Sequence, residues 1–127
     1  MTVSPILTVS GVAHAYGDKS VLQGVDLTQS VRLLGQDPAR VSAARASRGL
    51  VPQEIALFAL LAVAENLAAF ASLAQVPRQA VPAAVRRAME LTRTVDRAHV
   101  PVRHLSGGYQ RRANIAAAIV HEPALLI

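Results

Sequence analysis

Residues Leu105-Ser106-Gly107-Gly108-Tyr109-Gln110-Arg111-Arg112 define a helix start more sharply than any other stretch of this chain. Ser106 is a strong N-cap, and the two glycines let a partner approach the backbone without side-chain obstruction. The run from Ala113 to Val120 holds neither glycine nor proline, so a helix is expected from about Gly107 to His121, stopped by Pro123. Its free N–H groups and positive dipole end then lie behind Ser106, an arrangement suited to an anion such as a phosphate. Past the stop, Ala124-Leu125-Leu126-Ile127 begins a buried strand. Any fold for this chain must therefore set a helix with an accessible N-terminus next to a sheet.

Composition narrows the class. The chain has 127 residues, 52% hydrophobic and 17% charged, which suits one globular domain with a small core. The formal net charge is +5, yet the arginines are scattered, Lys19 is the sole lysine and aromatics make up 3%. A nucleic-acid partner is therefore not expected, because stacking platforms are scarce and no basic stripe forms. Without cysteine, disulfides and thiolate metal sites are excluded. The histidines His14, His99, His104 and His121 share no ligand spacing and read as surface or turn residues. No basic-then-apolar leader pattern opens the chain. The apolar run from Ile55 to Ala64 is shorter than the roughly 20 residues a bilayer requires.

Along the chain, strands come first. Leu7 and Val9 open a loose alternation that runs to Tyr16, and Gly17-Asp18 is a turn signal. Val21 to Leu27, Val31 to Leu34 and Gly49 to Val51 read as further short strands. From Leu57 onward the pattern is helical, with an alanine-rich segment from Val63 to Ala74. Pro82 suits the first turn of a second helix, whose apolar stripe is expected at Ala84, Ala88, Leu91 and Val95.

The octapeptide at 105–112 closely resembles the signature motif of ABC-type ATPases, the nucleotide-binding subunits of membrane transporters. Gly49-Leu50-Val51-Pro52-Gln53-Glu54, followed by Ala56-Leu57-Phe58 and Glu65-Asn66-Leu67, resembles that family's Q-loop. Ala15-Tyr16-Gly17 resembles its adenine-stacking position, although a tyrosine at a strand end is also a common structural feature. The resemblance runs from Leu7 to Ile127. It implies an α/β fold: the remnant of an ABC-type P-loop NTPase domain, with an antiparallel β part, a helical subdomain and an incomplete parallel core. The 127 residues are read as a single partial domain. Residues from about 1 to 54 form the β part with the Q-loop, about 55 to 104 the helical subdomain, and 105 to 127 the signature helix and the start of the Walker B strand.

The same resemblance implies site residues. Gln53 would act near the attacking water and as a ligand to Mg2+, and Tyr16 would stack on adenine. Leu105, Ser106, Gly107, Gly108 and Gln110 would form the surface that meets the γ-phosphate of an ATP held by the opposite subunit. Tyr109 stands where the family often has glutamine. Asn114-Ile115-Ala116 behind the double arginine is similar to the exporter-type branch. The implied partners are a transporter's membrane permease and another ABC ATPase subunit in a homo- or heterodimer. The implied location is cytoplasmic, peripheral at the inner face of the cell membrane. The run 59–64 fits either a buried helix or part of the surface that receives the permease.

The departures are as informative as the matches. A P-loop needs glycine, four residues, then Gly-Lys-Ser/Thr. Gly17-Asp18-Lys19-Ser20 does not supply one, since Asp18 parts Gly17 from Lys19 and position 12 holds valine. The family's P-loop would be expected between Val25-Asp26-Leu27 and Ser30-Val31-Arg32, where only Thr28-Gln29 intervene. The acidic Walker B end, the catalytic glutamate and the switch histidine would lie past Ile127. The expectation is thus a truncated ATP-binding subunit of an export system, marginally stable in isolation and unable to hydrolyse ATP alone. The alternative is a non-catalytic partner that supplies its signature in trans to an intact ATPase subunit.

Overall fold

The computed structural model describes residues 5, 7–10, 15–16, 19–20, 30–37, 39–43 and 47–127. They fall into two compact units, Met1–Ser47 and Arg48–Ile127. In the first, β1 (Leu7–Ser10), β2 (Ala15–Tyr16), β3 (Lys19–Ser20) and β4 (Ser30–Leu33) form two antiparallel pairs. β1 pairs with β4, Leu7 opposite Leu33 and Ser10 opposite Ser30, while β2 pairs with β3. The alternation expected to run from Leu7 to Tyr16 is therefore divided between two ladders. The strand expected from Val21 to Leu27, His14, the Gly17-Asp18 turn and the Leu27 side of the P-loop gap lie outside the described residues. After β4 the chain reverses tightly: Leu34 and Gly35 have φ of 52° and 76°, and Leu33 and Gln36 exchange both backbone hydrogen bonds at 2.8 and 3.0 Å.

In the second unit β5 (Arg48–Gly49) precedes three helices, α1 (Val63–Leu73), α2 (Val81–Thr92) and α3 (Gly107–Ile119), and β6 (Leu125–Leu126) follows them. Glu65 at the third position of α1 accepts the Ala62 N–H at 2.8 Å, one half of a capping box. Pro82 stands in the first turn of α2, as expected. Short 3-10 turns at Val95–Arg97 and Val102–His104 lead into α3.

The helices bury a core made largely of small side chains. Val63, Leu67 and Ala71 of α1 meet Ala84, Val85, Ala88 and Met89 of α2, and Ala113, Ala116, Ala117 and Val120 join them at α3. Leu91, expected in the apolar stripe of α2, is 70% exposed, and Val95 is 51% exposed. The buried face is turned by about 60° toward Val85 and Met89. The reason is geometric: α2 contacts both α1 and α3, so its buried face must span two neighbours, and position 91 falls outside that wedge. The helix expected from Leu57 starts at Val63 instead, and residues 50–61 carry no regular structure.

β5 and β6 run parallel, Arg48 opposite Leu125 and Gly49 opposite Leu126, extended by Ile127 N–H to Gly49 O at 2.9 Å. The strand at Gly49 thus joins the helical unit through β6. The end of the chain is expected to be a buried strand, yet Leu126 and Ile127 are exposed. Gly49 is required here by space. A Cβ at that position would lie 2.3 Å from Ala118 O, with Leu126 Cδ1 and Pro123 Cγ each at 2.9 Å. Since a backbone carbonyl cannot swing aside, Gly49→Ala should destabilise the second unit by about 3 kcal/mol, read from the urea midpoint at unchanged slope.

Candidate functional site

The site is built around the first turn of α3. Ser106 adopts extended backbone angles, its hydroxyl accepts Tyr109 N–H at 3.5 Å, and its carbonyl accepts Gln110 N–H at 2.9 Å. Leu105 is half-buried against the helical core. Gln110 turns its carboxamide back under the loop, donating to Val102 O at 3.1 Å and Leu105 O at 3.2 Å. It thereby braces the turn ahead of Ser106 from below.

Ser106, Gly107 and Gly108 are exposed, and a Cβ added at either glycine would meet nothing within 4 Å. Neither glycine has a positive φ. Internal packing and backbone conformation therefore do not call for glycine at either position. The first amides of a helix lack intrahelical acceptors, so this open turn presents N–H groups outward.

Tyr109 faces sideways, away from that opening. Its hydroxyl donates to Asp96 Oδ2 at 2.8 Å, and the Arg112 guanidinium lies 4.0 Å from its ring centroid. Arg112 also donates to Arg93 O at 3.0 Å, tying α3 to the end of α2.

Gln53 lies in the irregular segment after β5, with an exposed side chain. Its backbone is fastened to α3. Arg111 Nη1 donates to Pro52 O and, at 3.3 Å, to Gln53 O. Asn114, 3% exposed, donates to Pro52 O at 3.2 Å and Glu54 O at 3.4 Å, while its Oδ1 accepts Ala56 N–H at 3.2 Å. The following turn hangs on Asn66, which is fully buried. Its Oδ1 accepts Phe58 N–H at 2.7 Å, and its Nδ2 donates to the carbonyls of Phe58, Leu61 and Ala62 at 3.0 to 3.2 Å. With the backbone held inward, Ile55, Phe58, Leu60 and Leu61 point out as an exposed apolar face. Residues 59–61 therefore do not belong to a buried helix.

The structure brings Leu105, Ser106, Gly107, Gly108 and Gln110 together and ties the backbone of Gln53 to the same helix. The backbone of Tyr16 lies in β2 opposite Lys19, in the first unit, and its side chain is outside what is described. For Mg2+ the donor set is thin: Gln53 offers one neutral carboxamide oxygen, and among the described residues no three His, Cys, Asp or Glu side chains gather. A hard divalent cation prefers carboxylate oxygens, so these residues do not hold it by themselves. Sequence reasoning missed Arg111, Asn114 and Asn66 as anchors. For the two asparagines a signal was present: asparagines within alanine-rich helices are costly unless buried partners satisfy them.

A family model described as ABC transporter matches residues 7–127. The chain is 35% identical over 123 residues to the spermidine/putrescine import ATP-binding protein PotA of Haemophilus ducreyi, covering 96% of this chain and 33% of that protein. It is 27% identical to the Nod factor export ATP-binding protein I of Ralstonia nicotianae, covering 98% of this chain and 49% of that one. That alignment extends over 157 positions, more than this chain contains, so the relative carries positions with no counterpart here. Among solved structures, cbiO1 from Clostridium perfringens, described as part of the ABC transporter complex cbiONQ, superposes with a TM-score of 0.76 at 19% identity. That likeness covers 95% of this chain and 63% of cbiO1 and establishes the fold. The chain thus spans a third to a half of the length of these two relatives.

Removing the Asn66 carboxamide would orphan one N–H and unlatch the 58–62 turn. Asn66→Ala should lower stability by about 3 kcal/mol and accelerate hydrogen exchange at Phe58 first, as followed by mass spectrometry.

Proposed function

The chain belongs to the ABC transporter family, and we propose that its residues 48–127 act as the signature-bearing half of a composite nucleotide site. Ser106, Gly107 and Gly108 receive the γ-phosphate of an ATP whose other contacts come from a second ABC ATPase subunit. The open space over Gly107 and Gly108 carries this reading. Two glycines that the fold does not need are explained by a ligand that approaches the backbone from outside.

On this reading the chain alone does not turn over ATP. Phosphoryl transfer depends on positioning and charge stabilisation by a P-loop lysine, backbone amides and magnesium. The 127 residues hold no Gly-x-x-x-x-Gly-Lys-Ser/Thr, and the described residues gather no carboxylate site for the metal. Loss of a single oxyanion donor already costs roughly 3 kcal/mol of transition-state stabilisation, and here several are missing together. Gln53 serves the region of Mg2+ and the attacking water and Tyr16 serves adenine, while the contact in trans is made by Leu105 to Gly108.

The exposed apolar face of Ile55, Phe58, Leu60 and Leu61 is the proposed contact with a membrane permease. No helix among the described residues is long and apolar enough to cross a membrane. Attachment at the cytoplasmic membrane face is proposed to come through that contact. The export direction rests on the Asn114-Ile115-Ala116 stretch, while proteins named for import and for export both match the chain.

Two measurements test the reading. Purified chain with MgATP should release phosphate at the rate of the protein-free control, and enzyme-dependent turnover would overturn the non-catalytic assignment. Gly108→Ala should raise helix stability by about 0.5 kcal/mol. The same change should weaken ATP-dependent association with full-length ABC ATP-binding subunits of the same cells by at least about tenfold, a loss of roughly 1.4 kcal/mol. Association that survives both this change and Ser106→Arg would remove the signature from the interface.

A further inference from the structure

Arg111 and Asn114 lie three residues apart on α3, hence on one face of the helix, and both point at the same stretch of backbone. The carbonyls of Pro52, Gln53 and Glu54 and the amide of Ala56 all meet these two side chains. The first turn of the same helix carries Ser106, Gly107 and Gly108. No strand or helix lies between β5 and α1 to hold Gln53 in any other way.

We propose that Arg111 and Asn114 are positioning residues that clip the Gln53 backbone to the signature helix, so that a ligand engaging Ser106–Gly108 also steadies the segment bearing Gln53. The two members differ in kind. Asn114 is buried and satisfied on both sides of its carboxamide, so it is the permanent pin. Arg111 is exposed and binds two carbonyls through one nitrogen, so it is the releasable catch. The direction of communication that matters for function, from the phosphate-facing turn to Gln53, rests on the function proposed above. The clip itself does not.

The test is hydrogen exchange at Ala56, whose N–H is held by Asn114 Oδ1 and is freed when the 52–56 segment lifts from α3 after loss of the Arg111 catch. In the isolated 127-residue chain, Arg111→Gln should speed Ala56 exchange about tenfold while Leu67 in α1 and the melting temperature stay unchanged. Arg111→Lys, which restores a cationic donor, should bring Ala56 back to within about threefold of the original chain. Ala56 exchange that ignores Arg111→Gln, or a glutamine and a lysine variant that behave alike, overturns the clip. In the ATP-dependent complex with a full-length ABC ATP-binding subunit, Ala56 should slow in the original chain and fail to slow in Arg111→Gln, although both associate. Equal slowing in both overturns the coupling. If the original chain does not associate at all, the composite-site reading fails, and the isolated-chain measurements still decide the clip.

Discussion

Two buried carboxamides organise the second unit. Residues 50–61 form no helix, and apart from Val51 N–H to Ile127 O and the Ala59 and Leu61 carbonyls that accept Arg103 and Val102 N–H, their polar backbone groups need side-chain partners. Asn114 satisfies the stretch 52–56 from α3, and Asn66 satisfies the stretch 58–62 from α1. The dependence is mutual. A buried asparagine without partners costs several kcal/mol, and an irregular segment without partners would leave the helices. Because the backbone of this segment is held by the helices, most of its side chains, Leu57 excepted, face away. The outward apolar face of Ile55, Phe58, Leu60 and Leu61 is thus a consequence of how the backbone is held, not of a core too small to take them in.

Small residues make such anchoring possible. Ala113, Ala116 and Ala117 let α3 approach its neighbours closely, and Gly49 lets β5 lie against the carbonyl of Ala118. Short side chains such as asparagine can then span from helix to segment. The drawback is a core of modest apolar content, in which Leu67, Val63 and Val120 are the largest fully buried aliphatic groups. Such a core gives less hydrophobic stabilisation per residue, so directed hydrogen bonds matter more to its order.

Much of this was legible in the sequence. Ser106 ahead of two glycines, Pro82 near a helix start and Pro123 after a helix end are local signals with local causes, and each appears at its expected place. The signature and Q-loop patterns identified the family for the same reason: their residue types are set by short-range geometry and by the ligand. What failed depends on neighbours. The period of α2 admits a stripe through Leu91 as well as one through Met89, and only the double contact with α1 and α3 chooses between them. The apolar stretch from Leu57 to Ala62 looks helical by propensity, yet Asn66 captures its carbonyls and holds an open turn. The roles of Arg111 and Asn114 depend on residues some sixty positions earlier, a distance no periodicity reaches.

Glycines in this chain fall into two kinds, and the difference separates fold from function. Gly35 answers to a positive φ, and Gly49 to a carbonyl that leaves no room for a Cβ. Both are explained within their own units. Gly107 and Gly108 answer to neither cause, since their backbone is helical and the space beside them is open. Glycine in a helix is disfavoured relative to alanine, so the fold by itself would favour their replacement. A helix start that keeps two destabilising residues, is braced from beneath by Gln110 and ties Tyr109 to Asp96 is what the proposed approach of a phosphate to its backbone would call for. The same helix, one turn on, grips the carbonyls around Gln53. The open turn and the residues that hold the loop therefore lie within the first two turns of one helix, which is the basis of the coupling proposed above.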